Sequence, residues 1–98
     1  MGTTTDRPAP DNPQSVVVQV AHAYGLTPSA LLARRRDPLL VEARRVTMHL
    51  LAERGLGPSA IGRVVRLDHS TVLHHLARLR TRPTWEEREM LTTLRVTP

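Results

Sequence analysis

The chain predicts an all-α fold: a compact helical domain of about five to six helices containing a helix-turn-helix. Three observations carry that prediction. Apolar residues recur at helical spacing along the 98 residues, and no stretch shows the strict alternation of a strand. Helix starts built from a capping residue and a proline recur, at Asn12-Pro13 and Thr27-Pro28. Each puts a side-chain acceptor before a residue whose fixed φ suits the first helical position. Finally, Asp68 opens a segment with a polar first turn and then an apolar face of Val72, Leu76 and Leu79, flanked by Leu73.

Residues 1–11 are small, polar and proline-containing, and a disordered N-terminal tail is expected there. Asn12-Pro13 starts the first helix, with Val16, Val20 and Tyr24 inward and Gly25 as the stop. Thr27-Pro28 opens a short helix through Leu31 and Leu32 to about Ala33. Arg34-Arg35-Arg36-Asp37-Pro38 reads as a basic loop, since a residue before proline is steered out of the helical region. A long helix follows from about Leu40 to Arg54, with Ala43, Val46, Leu50 and Leu51 inward, and Gly55 and Gly57 end it. Pro58 starts a helix that runs through Ser59 to about Val65, with Ile61 and Val65 inward. Arg66-Leu67 turns the chain into the Asp68 helix, expected to run to about Arg80. Thr81-Arg82-Pro83 breaks it. Thr84-Trp85-Glu86-Glu87 is a capping box, so a last helix is expected to about Leu94. This divides the chain into a tail over 1–11, a helix-turn-helix domain over 12–82 and a C-terminal helical extension over 83–98.

Composition narrows the function. There is no Cys, which excludes disulfides and thiolate metal sites. No run approaches the roughly 20 apolar residues of a membrane span, and the first 13 residues lack the apolar core of a signal peptide. A cytoplasmic protein with no membrane association is the expectation. All 14 basic residues are Arg. Residues 34–82 hold eleven of them against four acids, whereas the segments before and after each carry a net charge of −1. A basic centre between near-neutral flanks is an electrostatic footprint for phosphates.

The Pro58–Val65 and Asp68–Arg80 helices, joined by a tight turn, form the helix-turn-helix. On the second, Thr71, His75 and Arg78 fall on one polar face with His74 beside them, opposite Val72, Leu76 and Leu79. Hydroxyls there can contact phosphates or bases. A histidine can hydrogen-bond a base edge or pack on a thymine methyl. Asp68 can accept from an exocyclic amine, cap the helix, or do both.

Several landmarks recur in order within residues 13–80: Val20-Ala21-His22-Ala23-Tyr24-Gly25-Leu26, Leu31-Leu32-Ala33-Arg34-Arg35-Arg36, Ala43-Arg44-Arg45-Val46-Thr47-Met48, Ile61-Gly62 and Asp68-His69-Ser70-Thr71-Val72-Leu73-His74. This series resembles the C-terminal DNA-binding domain of the bacterial replication initiator DnaA. The last run is close to that family's signature, with Ser for Thr at position 70. The resemblance implies a double-stranded DNA partner and a set of roles. Arg36 would enter a narrow, A/T-rich minor groove. Arg35 and Arg44 would hold phosphates. The backbone at Pro58 and Ser59, near a helix N-terminus, would favour another. Asp68, His69, Ser70 and Thr71 would read bases and anchor the helix in the major groove; His75 joins this DNA-binding set by its place on the polar face with Thr71, not through the resemblance. His74 matches the signature and is assigned to packing or turn support.

The chain departs from the family at Leu67, where an Arg that contacts a base is usual. Losing such a contact forfeits about 1–3 kcal/mol of discrimination, so either specificity is relaxed or a different site is read. Glu42 and Pro38 stand where basic residues are common. These residues contain no GxxxxGK[ST], so a free-standing, nucleoid-associated DNA-binding domain without the family's ATPase module is expected.

Other constellations point to no chemistry. His69, His74 and His75 with Asp68 lack the spacing of helix-borne metal ligands. Ser70 and His74 have no third group to orient them. No metal, cofactor or enzymatic activity is expected. Trp85 and Met90 read most simply as the hydrophobic contact of the last helix with the domain, or else as a partner surface. The function expected is sequence-selective DNA binding that modulates replication initiation or transcription. The rival is a protein-interaction module with decayed DNA contacts, binding a partner through the C-terminal helix.

Overall fold

Asn12 starts the first helix, α1 (Pro13–Ala23), by accepting from the Gln14 amide at 2.8 Å. The computed structural model describes residues 12–96; the tail expected over 1–11 lies outside the described residues. Val16, Val17, Val20 and Ala21 of α1 are fully buried. The helix ends in a left-handed turn at Gly25 (φ +70°), where the Leu26 amide reaches back to the Ala21 carbonyl at 2.8 Å. Thr27 then caps α2 (Pro28–Leu32) through a 3.1 Å bond from the Ala30 amide.

The long helix α3 (Pro38–Glu53) starts two residues earlier than its apolar pattern suggested. Pro38, expected in the loop, is instead its first residue. Asp37 keeps extended backbone (ψ 137°), as a residue before proline must, and proline itself needs no amide partner in the first turn. At its far end the same left-handed device recurs at Gly55 (φ +94°), with the Leu56 amide on the Leu51 carbonyl.

The helix-turn-helix comprises α4 (Pro58–Val65) and α5 (His69–Thr81), and α6 (Trp85–Val96) follows. Helix α3 packs against all five others and is the axis of the fold. Its Ala43, Val46, Met48 and Leu51 meet Val16, Val17 and Val20 of α1, Leu31 of α2, Ile61 and Val65 of α4, and Val72 and Leu79 of α5 in one core. The described residues contain no strand.

Helix α6 shares that core. The expected capping box forms, with the Glu87 amide on Thr84 Oγ1 at 3.0 Å and the Thr84 amide on Glu87 Oε1 at 2.9 Å. The helix runs to Val96, past the expected Leu94. Leu91 and Leu94 are buried and Met90 packs against the core. Trp85, expected to make the hydrophobic contact, is 68% exposed. It stands at the first position of the helix, where the core-facing stripe of Glu87, Leu91 and Leu94 has not yet begun. Two polar ties fasten α6 to α3. At one end Glu87 pairs with Arg45. At the other Arg95 pairs with Glu53, which also bonds His49 at 3.0 Å.

Candidate nucleic-acid interface

The turn between α4 and α5 is built on a close approach. The Leu67 amide donates to the Gly62 carbonyl at 3.0 Å. A Cβ on Gly62 would collide with the Leu67 backbone carbonyl, so glycine lets the two helices close. Arg66 between them is left-handed (φ 64°, ψ 41°), in the place glycine fills after α1 and α3. This puts an arginine, exposed and strained, at the corner of the motif.

Asp68 caps α5. Its Oδ1 accepts from the Thr71 amide at 3.4 Å and from the Thr71 hydroxyl at 2.5 Å. The hydroxyl bond lowers the Asp68 pKa, against an opposing desolvation, and so stabilises the carboxylate. Asp68, His69 and Ser70 are exposed and Thr71 is half-buried. Val72 and Leu79 anchor the opposite face in the core, while Leu73, expected to flank that face, is 50% exposed.

Two recesses run side by side in front of this first turn. One, of about 540 Å³, is lined by Arg36, Val41, Arg44, Leu67, Thr71 and His75. The other, of about 420 Å³, is lined by Arg34, Arg35, Arg36, Arg44, Arg66, Leu67 and Asp68. They share Arg36, Arg44 and Leu67. The basic loop and the helix-turn-helix, thirty residues apart in sequence, therefore face a common concave surface. Six of the residues lining it are arginine or histidine, and one is acidic.

The expected site residues differ in how they meet that surface. Arg35 and Arg36 are exposed. Arg35 also pairs with Asp37 at 3.0 Å, an exposed contact that is readily exchanged. Arg44 is 8% exposed. Its Nε donates to the Leu31 carbonyl at 2.8 Å and its Nη2 to the Ala33 carbonyl. It thus satisfies the open carbonyls at the end of α2 and sets the path of the basic loop, a task that spacing did not suggest. Ser59 is exposed and Pro58 half-buried at the start of α4, capped by Gly57 with no side-chain bond; neither lines the recesses. His75 is half-buried, and its Nδ1 accepts from Arg45 Nε at 3.3 Å. Burial, then the neighbouring Arg45, pushes its pKa down.

Sequence reasoning passed over three residues here. Arg66 reads as part of the turn, one place before the position where the family has an Arg, with nothing in the sequence to mark its left-handed corner. Arg45 is one of eleven arginines in the basic centre, yet it reaches inward to His75 and to Glu87, whose side chain is fully buried. Glu87 showed itself only as a capping residue. Contacts across thirty and forty-two residues leave no periodic trace. Among the described residues, no group of three or more His, Asp or Glu side chains is arranged to hold a metal ion, and no helix is long and apolar enough to cross a membrane.

The family model described as the bacterial dnaA protein helix-turn-helix matches residues 13–79. No solved structure matches the chain.

Proposed function

Since the chain belongs to the bacterial DnaA helix-turn-helix family, a DNA-binding family, we propose that it binds double-stranded DNA sequence-selectively and without catalysis. In this reading α5 lies in the major groove. Asp68, His69, Ser70, Thr71 and His75 face base edges or the adjoining phosphates, and the Arg34–Arg36 loop enters the neighbouring minor groove. Arg35, the α4 N-terminus at Pro58 and Ser59, and the remaining exposed edge of Arg44 meet phosphates. The observation that supports this most is the shared recess, which brings the basic loop and the first turn of α5 to one concave face. A duplex presents a minor groove and a major groove side by side, and this face offers one element for each.

The target is expected to resemble an initiator box without being identical to it, because Leu67 supplies no guanidinium beside Asp68. Occupying such sites would modulate replication initiation or transcription and place the protein on the nucleoid. With about three to five phosphate contacts, the slope of log K against log salt should be roughly −3 to −4.5. Fluorescence anisotropy with an initiator-box duplex and a random duplex, each at two salt concentrations, tests the proposal. Tighter binding to the box supports it. Equal binding removes the selectivity, and no binding to either at low salt overturns it.

One observation favours a second reading, partner binding through α6. Trp85 and Leu39 are exposed at 68% and 49% and border a concavity with Glu42, Glu86 and Glu89. On α3, Leu39 and Glu42 lie about 200° around the axis from Val41 and Arg44, so this face points away from the basic recess. A partner there would leave the DNA face open. Trp85 is the chain's one tryptophan, so its emission reports contact directly.

A further inference from the structure

Arg45 sits between two helices that the sequence keeps far apart. Its Nη1 donates to Glu87 Oε2 of α6 at 2.6 Å, and its Nε donates to His75 Nδ1 of α5 at 3.3 Å. The Arg45 side chain is 13% exposed and that of Glu87 is fully buried. Glu87 is itself immobilised by the capping box with Thr84. The guanidinium therefore has little freedom, and its Nε–H direction is set from behind.

A guanidinium nitrogen cannot accept a hydrogen bond, so the His75 Nδ1 must be the acceptor and carry no proton. The ring proton of the neutral imidazole then lies on Nε2. No buried side-chain nitrogen or oxygen among the described residues lacks a partner, and Nε2 has no partner among them. It is therefore an accessible donor, and His75 lines the recess together with Arg36, Leu67 and Thr71. Thr71 and His75 are four residues apart, one turn along the same helical face.

We infer that His75 is a specificity-determining residue that offers one hydrogen-bond donor, Nε2–H, to an acceptor on a base edge in the major groove. Arg45 and Glu87 act as positioning residues that fix its tautomer. The inference rests on the DNA-binding reading above and adds the chemistry of one contact. A lone donor suits purine N7, guanine O6 or thymine O4, and it opposes the amino groups of cytosine and adenine. Burial first, and then Arg45, His74, Arg44 and Arg78, disfavour a second ring proton, which is consistent with a neutral donor.

Two measurements on the full chain test this. The first is the imidazole ¹⁵N spectrum of the free protein. His75 should carry its proton on Nε2 with Nδ1 bare, should show a mixture of tautomers in Arg45→Met, and should recover the single tautomer in Arg45→Lys. A wild-type His75 protonated at Nδ1, or at both nitrogens at neutral pH, overturns the inference without touching the DNA-binding proposal. The second is selection of bound duplexes from a random pool. His75→Ala should lower the preference at one base pair by roughly fivefold, the worth of one hydrogen bond, and leave the others unchanged. Replacing the preferred purine by its 7-deaza analogue, or removing the thymine O4, should cost the wild type a similar factor and cost His75→Ala nothing. A uniform loss at every position would make His75 a phosphate contact and overturn the inference. Failure of the wild type to bind any duplex at low salt would instead overturn the DNA-binding reading.

Discussion

The Leu67 amide bonds the Gly62 carbonyl at 3.0 Å, and the Gly62 α-carbon lies too close to the Leu67 carbonyl for any side chain to fit between them. The atom in the way is backbone, so it cannot rotate aside as a flexible side chain would. The angle between α4 and α5, and with it the presentation of the first turn of α5, depends on that contact.

Gly62→Ala is therefore expected to destabilise the domain by about 1–3 kcal/mol, the range for overpacking a closed site. Glycine in a helix interior is ordinarily the poorer residue, so the sign is opposite to that of an open helical position. Urea denaturation of the two proteins measures it, and a gain in stability would show that the turn relaxes freely.

Arg66→Gly should act in the other direction on stability. It relieves a left-handed residue with a Cβ and should raise stability by up to about 1 kcal/mol. It also removes a guanidinium from the recess shared with Arg34, Arg35 and Asp68. Affinity for all duplexes should fall and the salt slope should shrink by about 0.9 if that group meets one phosphate. A variant more stable and weaker in DNA binding would separate the two roles, whereas unchanged affinity would confine Arg66 to the turn.

Glu87→Ala should cost about 3–5 kcal/mol, because it leaves the largely buried Arg45 guanidinium without its carboxylate. The double variant Arg45→Met, Glu87→Leu should recover most of that loss, since the charges then leave together. Thermal and urea unfolding of the singles and the double complete the cycle. Strict additivity would mean that the 2.6 Å pair contributes no coupling.

His75 links stability to pH. Its pKa in the fold is below the ordinary histidine value, chiefly through burial and then through Arg45. The unfolded chain therefore takes up the proton more readily as pH falls. The contribution of His75 is complete above the ordinary range, near about pH 6.5, and is lost progressively below it until the folded form titrates as well. Urea midpoints across that range should decline toward acid, and His75→Gln should flatten this part of the profile. An unaltered profile would assign the decline to other groups.

Asp68→Asn retains a capping acceptor for the Thr71 amide but removes the carboxylate. The fold should be little changed, while base preference near the start of α5 should alter if Asp68 accepts from an exocyclic amine. Selection of bound duplexes compares the two proteins. The same preference in both would leave Asp68 as a cap alone.

Local chemistry determined most of the elements. Asn12-Pro13, Thr27-Pro28, Asp68 and the Thr84–Glu87 box start helices because each start is satisfied by side chains within three residues. Gly25 and Gly55 end helices because a left-handed residue closes the last turn. Helical spacing of Val16 and Val20, or of Val72 and Leu79, marked the buried faces before any partner was known. The Asp68–His74 run and the arginine-rich centre pointed to DNA, and the family match agrees with that. Only the tertiary structure decided which cations are available. Arg34, Arg35, Arg36, Arg44 and Arg45 look alike as charges in a row. Packing of α2, α5 and α6 on α3 leaves the loop arginines exposed, turns Arg44 onto the carbonyls of Leu31 and Ala33, and closes Arg45 between His75 and Glu87. It also buries Leu91 and Leu94 while leaving Trp85 in solvent. The physical reason is range. A cap or a helical face is decided by neighbours within one or two turns, whereas a side chain's partner is decided by whichever helix the core brings against it.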